Sequence, residues 1–368
     1  MTSVDTPVGP RQRNGVTDGT PPPAVSIRVV DPGQEKNWDA LVLSHPGSSF
    51  FHSAAWAKVL METYQFRPLY LTAIEGERLL ALLPLLEASS WLAGTRGVSL
   101  PFTDECPPLT SDRVSGPRLL EEVMALGRQR KWKYWEGRGG LESFGNPMES
   151  LSFHGHRLSL DKSKDALFGQ LDSSVRRAIR KGERCGVKVE ISSTRDAIQR
   201  YYGLHCRTRQ KHGLPPQPFS FFERIYDQVL ARGLGFVSLA TVADQPVAAA
   251  VYFHLGTRAI YKFGASDERR QELRGSNLVM WEAIQWLARR GFTELSFGRT
   301  SLGNEGLRKF KLGWGAAEHR ISCVKYDFDR QQFVQDSDKT SGWHNRVFGL
   351  MPLPLARLAG QVLYRHLT

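Results

Sequence analysis

Two stretches of this chain repeat one order of elements, and the repetition limits the fold more than any other feature. In the first, Arg67–Ile74 and Arg78–Glu87 are apolar runs separated by Glu75-Gly76-Glu77, the pattern of a β-hairpin. In the second, Phe236–Val242 and Val247–His254 flank Ala243-Asp244-Gln245-Pro246, and a third run, Arg258–Ala265, follows Gly256. Each hairpin region is followed by a helical pattern and a short strand: Pro117–Lys131 then Trp132–Glu136, and Asn277–Arg290 then Thr293–Phe297. Both short strands run into a Gly-Arg pair, Gly137-Arg138 and Gly298-Arg299. An offset of roughly 160 to 170 residues is too long for a solenoid repeat and fits a duplicated domain. Hairpins followed by a helix that feeds another strand predict an α/β fold of two tandem domains. Each is expected to be a mixed, mainly antiparallel sheet flanked by helices.

The 368 residues suffice for two such cores. The expected divisions are 1–24, a Pro-, Gly-, Thr- and Ser-rich leader without the apolar stretch of a secretory signal; 25–164; 165–335; and a basic amphipathic tail, 336–368. Asp172 or Ser173 is placed to cap a helix through Arg184 that Gly186 ends, with Val187–Ile191 opening the second sheet. In the later helix, Leu278, Trp281, Ile284, Gln285 and Leu287 share faces at three- and four-residue spacing, which predicts core contacts.

No apolar run approaches the ~20 residues a membrane-spanning helix needs, and the leader's lack of a secretory stretch makes a cytoplasmic location the expectation. Cys106, Cys185, Cys206 and Cys323 are too scattered for a CxxC zinc site or a disulfide scaffold. His205 and His212 lack the HExxH spacing, and no metal is expected. The net charge of +12 favours an anionic partner: a nucleotide cofactor, a phosphorylated lipid, tRNA or a membrane surface.

Three segments carry the candidate chemistry. Phe297–Gly315 has five glycines, the polar run Arg299-Thr300-Ser301 and the cations Arg308, Lys309 and Lys311 directly after a strand. It reads as a ligand-presenting loop or as turn glycines beside a solvated face. In Leu171–Val189, a helix places Arg176, Arg180 and Arg184 on one side, an anion-facing stripe or a surface in water. Tyr201–Phe222 contains His205, Arg207, Arg209 and His212 before Pro215-Pro216-Gln217-Pro218, a break that leaves a loop able to close a cleft.

A strand ending Phe297-Gly298-Arg299, then Gly303-x-x-Gly306, then Phe310-Lys311-x-x-Trp314-Gly315 is similar to the C-terminal signature of BioF2-like and Fem-type (FemAB-related) acyltransferases of the GNAT superfamily. The basic segment Arg176–Val187 resembles another segment common in such families. The resemblance spans about residues 165–330 and extends to the first half by element order alone. It implies two GNAT-like domains and transfer of an acetyl, other acyl or aminoacyl group onto an amine of a cell-envelope or exopolysaccharide precursor. The alternative it implies is Fem-type, tRNA-dependent aminoacyl transfer to a peptidoglycan precursor. Acetyl-CoA or another acyl-CoA would bind at Arg274-Gly275-Ser276-Asn277, before a helix whose amides and dipole favour anions. That turn is a degenerate form of the usual Arg/Gln-x-x-Gly-x-Gly/Ala pattern, and in Fem-type relatives the donor is aminoacyl-tRNA. Lys311 and Arg299 are placed at the acyl or acceptor anion as the catalytic pair. Thr300 and Asn304 orient the acceptor, Tyr261 and Phe263 line the cleft, and Arg207 and His212 contact substrate. Glu305 is the carboxylate singled out in the matched segments as a candidate base, with an ion pair to Arg308 or Lys309 as its simpler role.

Two other readings stay open. The charge and the Arg176–Lys188 cluster also suit a non-catalytic nucleic-acid-binding protein. The first half, with no counterpart of Phe310–Gly315, also suits a structural or interaction domain that has lost catalysis. The tail, Thr340–Thr368, carries Arg346, Arg357 and Arg365, no acidic residue and many apolar ones, so it suits either packing on the domains or peripheral contact with the inner face of an anionic membrane.

Overall fold

The computed structural model describes residues 26–112, 114–145, 147–336 and 348–366. The proposed leader lies outside the described residues, as do Trp343, Arg346 and Val347 of the tail.

The first half contains β1 (Ser26–Val30), α1 (Trp38–Leu43), α2 (Ala54–Tyr64), β2 (Arg67–Pro68), β3 (Tyr70–Glu75), β4 (Arg78–Leu83), β5 (Leu86–Ser90), β6 (Gly94–Ser99), β7 (Leu109–Thr110), α3 (Ser115–Gln129), β8 (Tyr134–Arg138) and β9 (Leu151–Ser159). The second contains α4 (Lys164–Gly169), α5 (Ser173–Arg184), β10 (Lys188–Ser192), α6 (Arg195–Lys211), α7 (Phe219–Gln228), β11 (Gly235–Val242), β12 (Gln245–Leu255), β13 (Arg258–Ser266), α8 (Gly275–Arg289), β14 (Glu294–Ser301), α9 (Glu305–Leu312), β15 (Ala317–Asp327), β16 (Gln332–Phe333) and α10 (Leu353–Leu363).

The expected hairpins form, with two local differences. The run Arg78–Glu87 is two strands, because Pro84 supplies no N–H to a ladder. Before it, β4 joins a four-stranded sheet, β1-β3-β4-β7; after it, β5 joins a twelve-stranded one. In the second half the loop is shorter than expected. Ala243 and Asp244, both at positive φ, make a two-residue turn, and Gln245 already pairs with Val242.

Each half has one parallel pair around its helix, β6 with β8 across α3 and β13 with β14 across α8, and these embody the repeated order. The strands that follow are exchanged. β9 leaves the first half to pair with β14, while β15 leaves the second to pair with β8, and β9 and β15 pair with each other. One sheet, ordered β10-β11-β12-β13-β14-β9-β15-β8-β6-β5-β2, therefore runs through both halves.

Side-chain packing also crosses the halves. Phe50 and Phe253 rings lie 4.6 Å apart, and Trp56 packs on Phe221 and Phe253. These belong to one buried cluster under α2, α6 and α7, while the opposite face of β11–β14 packs on α5 and α8 through Leu278, Trp281, Ile284 and Leu287. Burying the aromatics of both halves in one apolar cluster fixes the halves relative to each other.

Candidate active site

The parallel pairing of β13 and β14 lasts only from Arg258–Ile260 against Glu294–Ser296. Beyond it the strands part. On β13 a bulge leaves Lys262 without a partner, since Tyr252 faces Tyr261 and Val251 faces Phe263. On β14 a second irregularity separates Ser296 from Arg299 in the pairing with β9, and Gly298 there adopts φ +66. Such bulges re-aim side chains at a sheet opening.

Into this opening α9 sends Lys311. Asn304 caps the helix by accepting the Leu307 N–H at 3.1 Å, so it serves as an N-cap. In the last turn of the helix, Phe310 and Lys311 diverge. Lys311 is 3% exposed, and its Nζ donates to the carbonyls of Gly298 (3.1 Å) and Arg299 (2.9 Å). An ammonium has three donors, so one remains for a ligand. Burial lowers its pKa to about 8, partly offset by Asp104 and reinforced by Lys262.

Asp104 comes from the first half and was not singled out in the sequence. Its carboxylate accepts from Lys262 Nζ at 2.8 Å, and it packs so close to Gly298 that a Cβ there would lie 3.0 Å from Asp104 Cγ. Burial pushes the Asp104 pKa up, but Lys262, Arg299 and Lys311 outweigh it and hold the group below the usual carboxylate range. Lys262 is lowered by burial and partly restored by Asp104. The loop that carries Asp104 is fixed by Arg138, whose Nη1 donates to Leu100 O (3.0 Å) and Thr103 O (3.2 Å), and by Trp56, which donates to Thr103 Oγ1 at 2.9 Å. Arg138 is itself paired with Glu136 at 2.7 Å. The repeated Gly-Arg pair has thus diverged: Arg138 braces a loop, while Arg299 lies 4.3 Å over the Phe153 ring.

Cavities adjoin the residues of this centre. One of about 270 Å³ is lined by both halves, including Ser49, Phe51, Asp104, Glu105, Arg157 and Gly298. Glu105 accepts from Arg157 and contacts His319 at 3.3 Å; burial raises its pKa, and these partners bring it below the ordinary value. A slot of about 240 Å³ runs between β12, β13 and the start of α8, lined by Tyr261, Gly264, Ser276, Val279 and Phe310. Phe310 also lines an open basin of about 930 Å³ between α5, α8 and α9. Four cations border that basin, Arg177, Lys181, Arg274 and Lys309, against one carboxylate, Asp172, which caps α5.

The structure gathers some expected residues and separates others. Arg274, at φ +56, introduces α8, and Arg274 and Asn277 border the basin; Ser276 lies in the slot. Gly275 packs tightly, a Cβ there meeting Val247 at 3.0 Å. Tyr261 lines the slot, its hydroxyl over Gly264, with a pKa raised to about 12 by burial. Thr300 is buried with no partner for its hydroxyl. Phe263 instead points to the other face, among Phe221, Phe222 and Phe253, because the bulge shifts the alternation of β13. Arg207 pairs with Asp267 at 3.4 Å beside a separate depression, and His212 caps α6 at the surface. Glu305 is exposed and pairs with Arg308. Of the α5 cations, those facing the basin are Arg177 and Lys181 rather than the Arg176, Arg180 and Arg184 stripe, since burial of Val175 and Ile179 sets the helix rotation. Arg180 lies over the Phe168 ring.

Among the described residues no group of three or more His, Cys, Asp or Glu is placed to hold a metal, and no helix is long and apolar enough to cross a membrane.

Comparison with known proteins fits this arrangement. A family model described as an acetyltransferase (GNAT) domain matches residues 170–319. FemX shares 15% identity at a TM-score of 0.64, over 81% of this chain and 96% of its own. L-PGS from Bacillus licheniformis shares 13% at 0.52, over 89% and 96%. The C-terminal domain of a lysylphosphatidylglycerol synthetase candidate from Agrobacterium fabrum shares 14% at 0.52, over 78% and 89%. No curated protein sequence matches the chain. The class is therefore that of an acyl-transferring enzyme. More particularly, residues 170–319 carry a GNAT acetyltransferase domain, within a fold shared with FemX.

Proposed function

We infer that the protein transfers an aminoacyl group from charged tRNA to an amine of a cell-envelope precursor, as Fem-type enzymes do. The observation that carries this is the basin at the α8 N-terminus, which is large, open and bordered by Arg177, Lys181, Arg274 and Lys309. Helix amides and four cations suit a run of phosphates, and an open basin suits the end of a macromolecule. The degenerate 274–277 turn and the fold likeness to FemX support this donor over acetyl-CoA. Likeness to proteins named for lysylphosphatidylglycerol, an aminoacyl group on a lipid, supports the same chemistry and a lipid-linked acceptor.

On this reading the nucleotide end lies in the basin and the aminoacyl group in the slot past Phe310. The acceptor amine comes from the cavity holding Asp104 and Glu105, two ionised carboxylates that suit an ammonium. Lys311, held at Gly298 and beside Phe310, offers its remaining N–H to the oxyanion that forms when the amine attacks the ester carbonyl. Bound as an ammonium, the acceptor first gives one proton to solvent; the free amine then attacks the ester carbonyl, loses a second proton as the C–O bond breaks, and the leaving ribose oxygen gains one, so each transfer releases one proton overall. Asp104 keeps Lys262 and Lys311 charged in a buried place, which makes the first half part of the site.

Incubation with tRNA charged with a radiolabelled amino acid and an amine-bearing muropeptide tests this. Label should move to the muropeptide as an alkali-stable amide without CoA. Transfer from acetyl-CoA alone would instead make the protein an N-acetyltransferase.

A further inference from the structure

The C-terminal helix α10 is anchored along one side. Arg209 Nη2 donates to Tyr364 Oη at 2.6 Å, Tyr364 Oη donates to Pro215 O at 3.1 Å, and Gln210 Nε2 donates to Met351 O at 2.8 Å. Gly360 lies so close to the 213–218 loop that a Cβ there would be 1.9 Å from Pro216 O. These contacts fix which face points outward. At 100° per residue, Leu355, Leu358, Ala359 and Val362 share that face, and Leu355, Leu358 and Val362 are 55–57% exposed. Leu350, just before the helix, is 89% exposed.

A distant segment completes the same patch. The tip of the β5–β6 hairpin carries Trp91, 87% exposed, and Leu92, 63% exposed. His366, one turn beyond Val362, packs edge-on to Trp91 at 6.0 Å and contacts Ser90 Oγ at 2.7 Å. Arg96, fully buried, ties the two segments by donating to Gly94 O (3.2 Å) and His366 O (3.1 Å). Such expense of a buried guanidinium holds an exposed tryptophan against an exposed leucine face. Cations predominate around it: Arg357 and Arg365 on the tail and exposed Lys133, whose stem covers Gly94, against Glu223 of α7, which shares a depression with Arg357 and Leu358. Residues 348–366 and 90–97 contain no Asp or Glu.

We propose that Trp91, Leu92 and the Leu355-Leu358-Val362 face of α10 form one docking surface for an anionic lipid bilayer. An amphipathic basic helix lying in the interface beside a tryptophan meets both requirements of such binding, apolar insertion and attraction to anionic headgroups. The surface rests on the fold alone and does not depend on the donor. It places the enzyme at the membrane where a lipid-linked acceptor would be found.

The test is flotation of the full chain with vesicles of phosphatidylcholine alone or mixed equally with phosphatidylglycerol. Wild type should float with the anionic vesicles and much less with the neutral ones. W91S/L92S and L358S/V362S, all at exposed positions, should each weaken binding by about tenfold or more with circular dichroism unchanged. K311M should float like wild type, which separates this surface from the catalytic assignment. No flotation of wild type, flotation untouched by both double variants, or a dimer that these variants dissolve without any lipid binding would overturn the proposal.

Discussion

Replacing Lys311 by Met should leave the protein folded and nearly stop transfer. Holding the ammonium in the β13–β14 opening lowers its pKa from 10.5 to about 8, which at 1.36 kcal/mol per unit is a cost of about 3 kcal/mol. Methionine keeps the apolar stem and removes that cost. It also leaves the carbonyls of Gly298 and Arg299 without their donor, a loss of roughly 1–3 kcal/mol each. The two nearly cancel, so urea unfolding should place K311M within about 2 kcal/mol of wild type. Catalysis has no such compensation. Losing one donor to a developing oxyanion lowers the rate about 10²- to 10³-fold. Single-turnover transfer from charged tRNA reads this directly. A K311M rate within about threefold of wild type, a difference under ~1 kcal/mol, would refute the role of Lys311.

The same pKa fixes the direction of pH dependence. If the charged form of Lys311 acts, the single-turnover rate falls as pH rises through about 8, and a rate that rises there would mark Lys311 as a base instead. In the Asp104–Lys262 pair, D104A leaves a buried ammonium uncompensated and should cost about 3–5 kcal/mol in urea unfolding, whereas D104A/K262M should regain much of it; equal losses would show the pair to be uncoupled. At the basin, R177A/K181A should weaken tRNA binding and reduce its log–log salt slope by about 1.4, from ~0.7 per phosphate contact; an unchanged slope would remove both residues from the phosphate path.

The sequence discloses the hairpins, α3 and α8 because apolar runs and Gly or Pro punctuation determine them locally. It conceals the strand exchange. Leu151–Ser159 is rich in Ser, His, Gly and Arg and becomes β9 only because β14 and β15 lie on either side of it. The site divides the same way. Lys311, Tyr261, Ser276 and Arg274 stand in segments with a pattern of their own. Asp104 and Glu105 sit in a loop between Pro101 and Pro107, outside the patterned segments, and Asp104 gains meaning from Lys262, far away in the chain. Phe263 was misplaced by the bulge at Lys262, which no alternation count reveals. For α5, the sequence alone favours the Arg176, Arg180 and Arg184 stripe; Val175 and Ile179, which define the buried face, turn Arg177 and Lys181 to the basin instead.

The central claim is the donor, and calorimetric titration tests it most directly. Wild type and R177A/K181A/K309A are each titrated with tRNA carrying a non-hydrolysable aminoacyl linkage and with acetyl-CoA, at low and high salt. The account predicts saturable, salt-sensitive tRNA binding that the triple variant loses, with no saturation by acetyl-CoA. Saturable acetyl-CoA binding beside silence toward charged tRNA would contradict it.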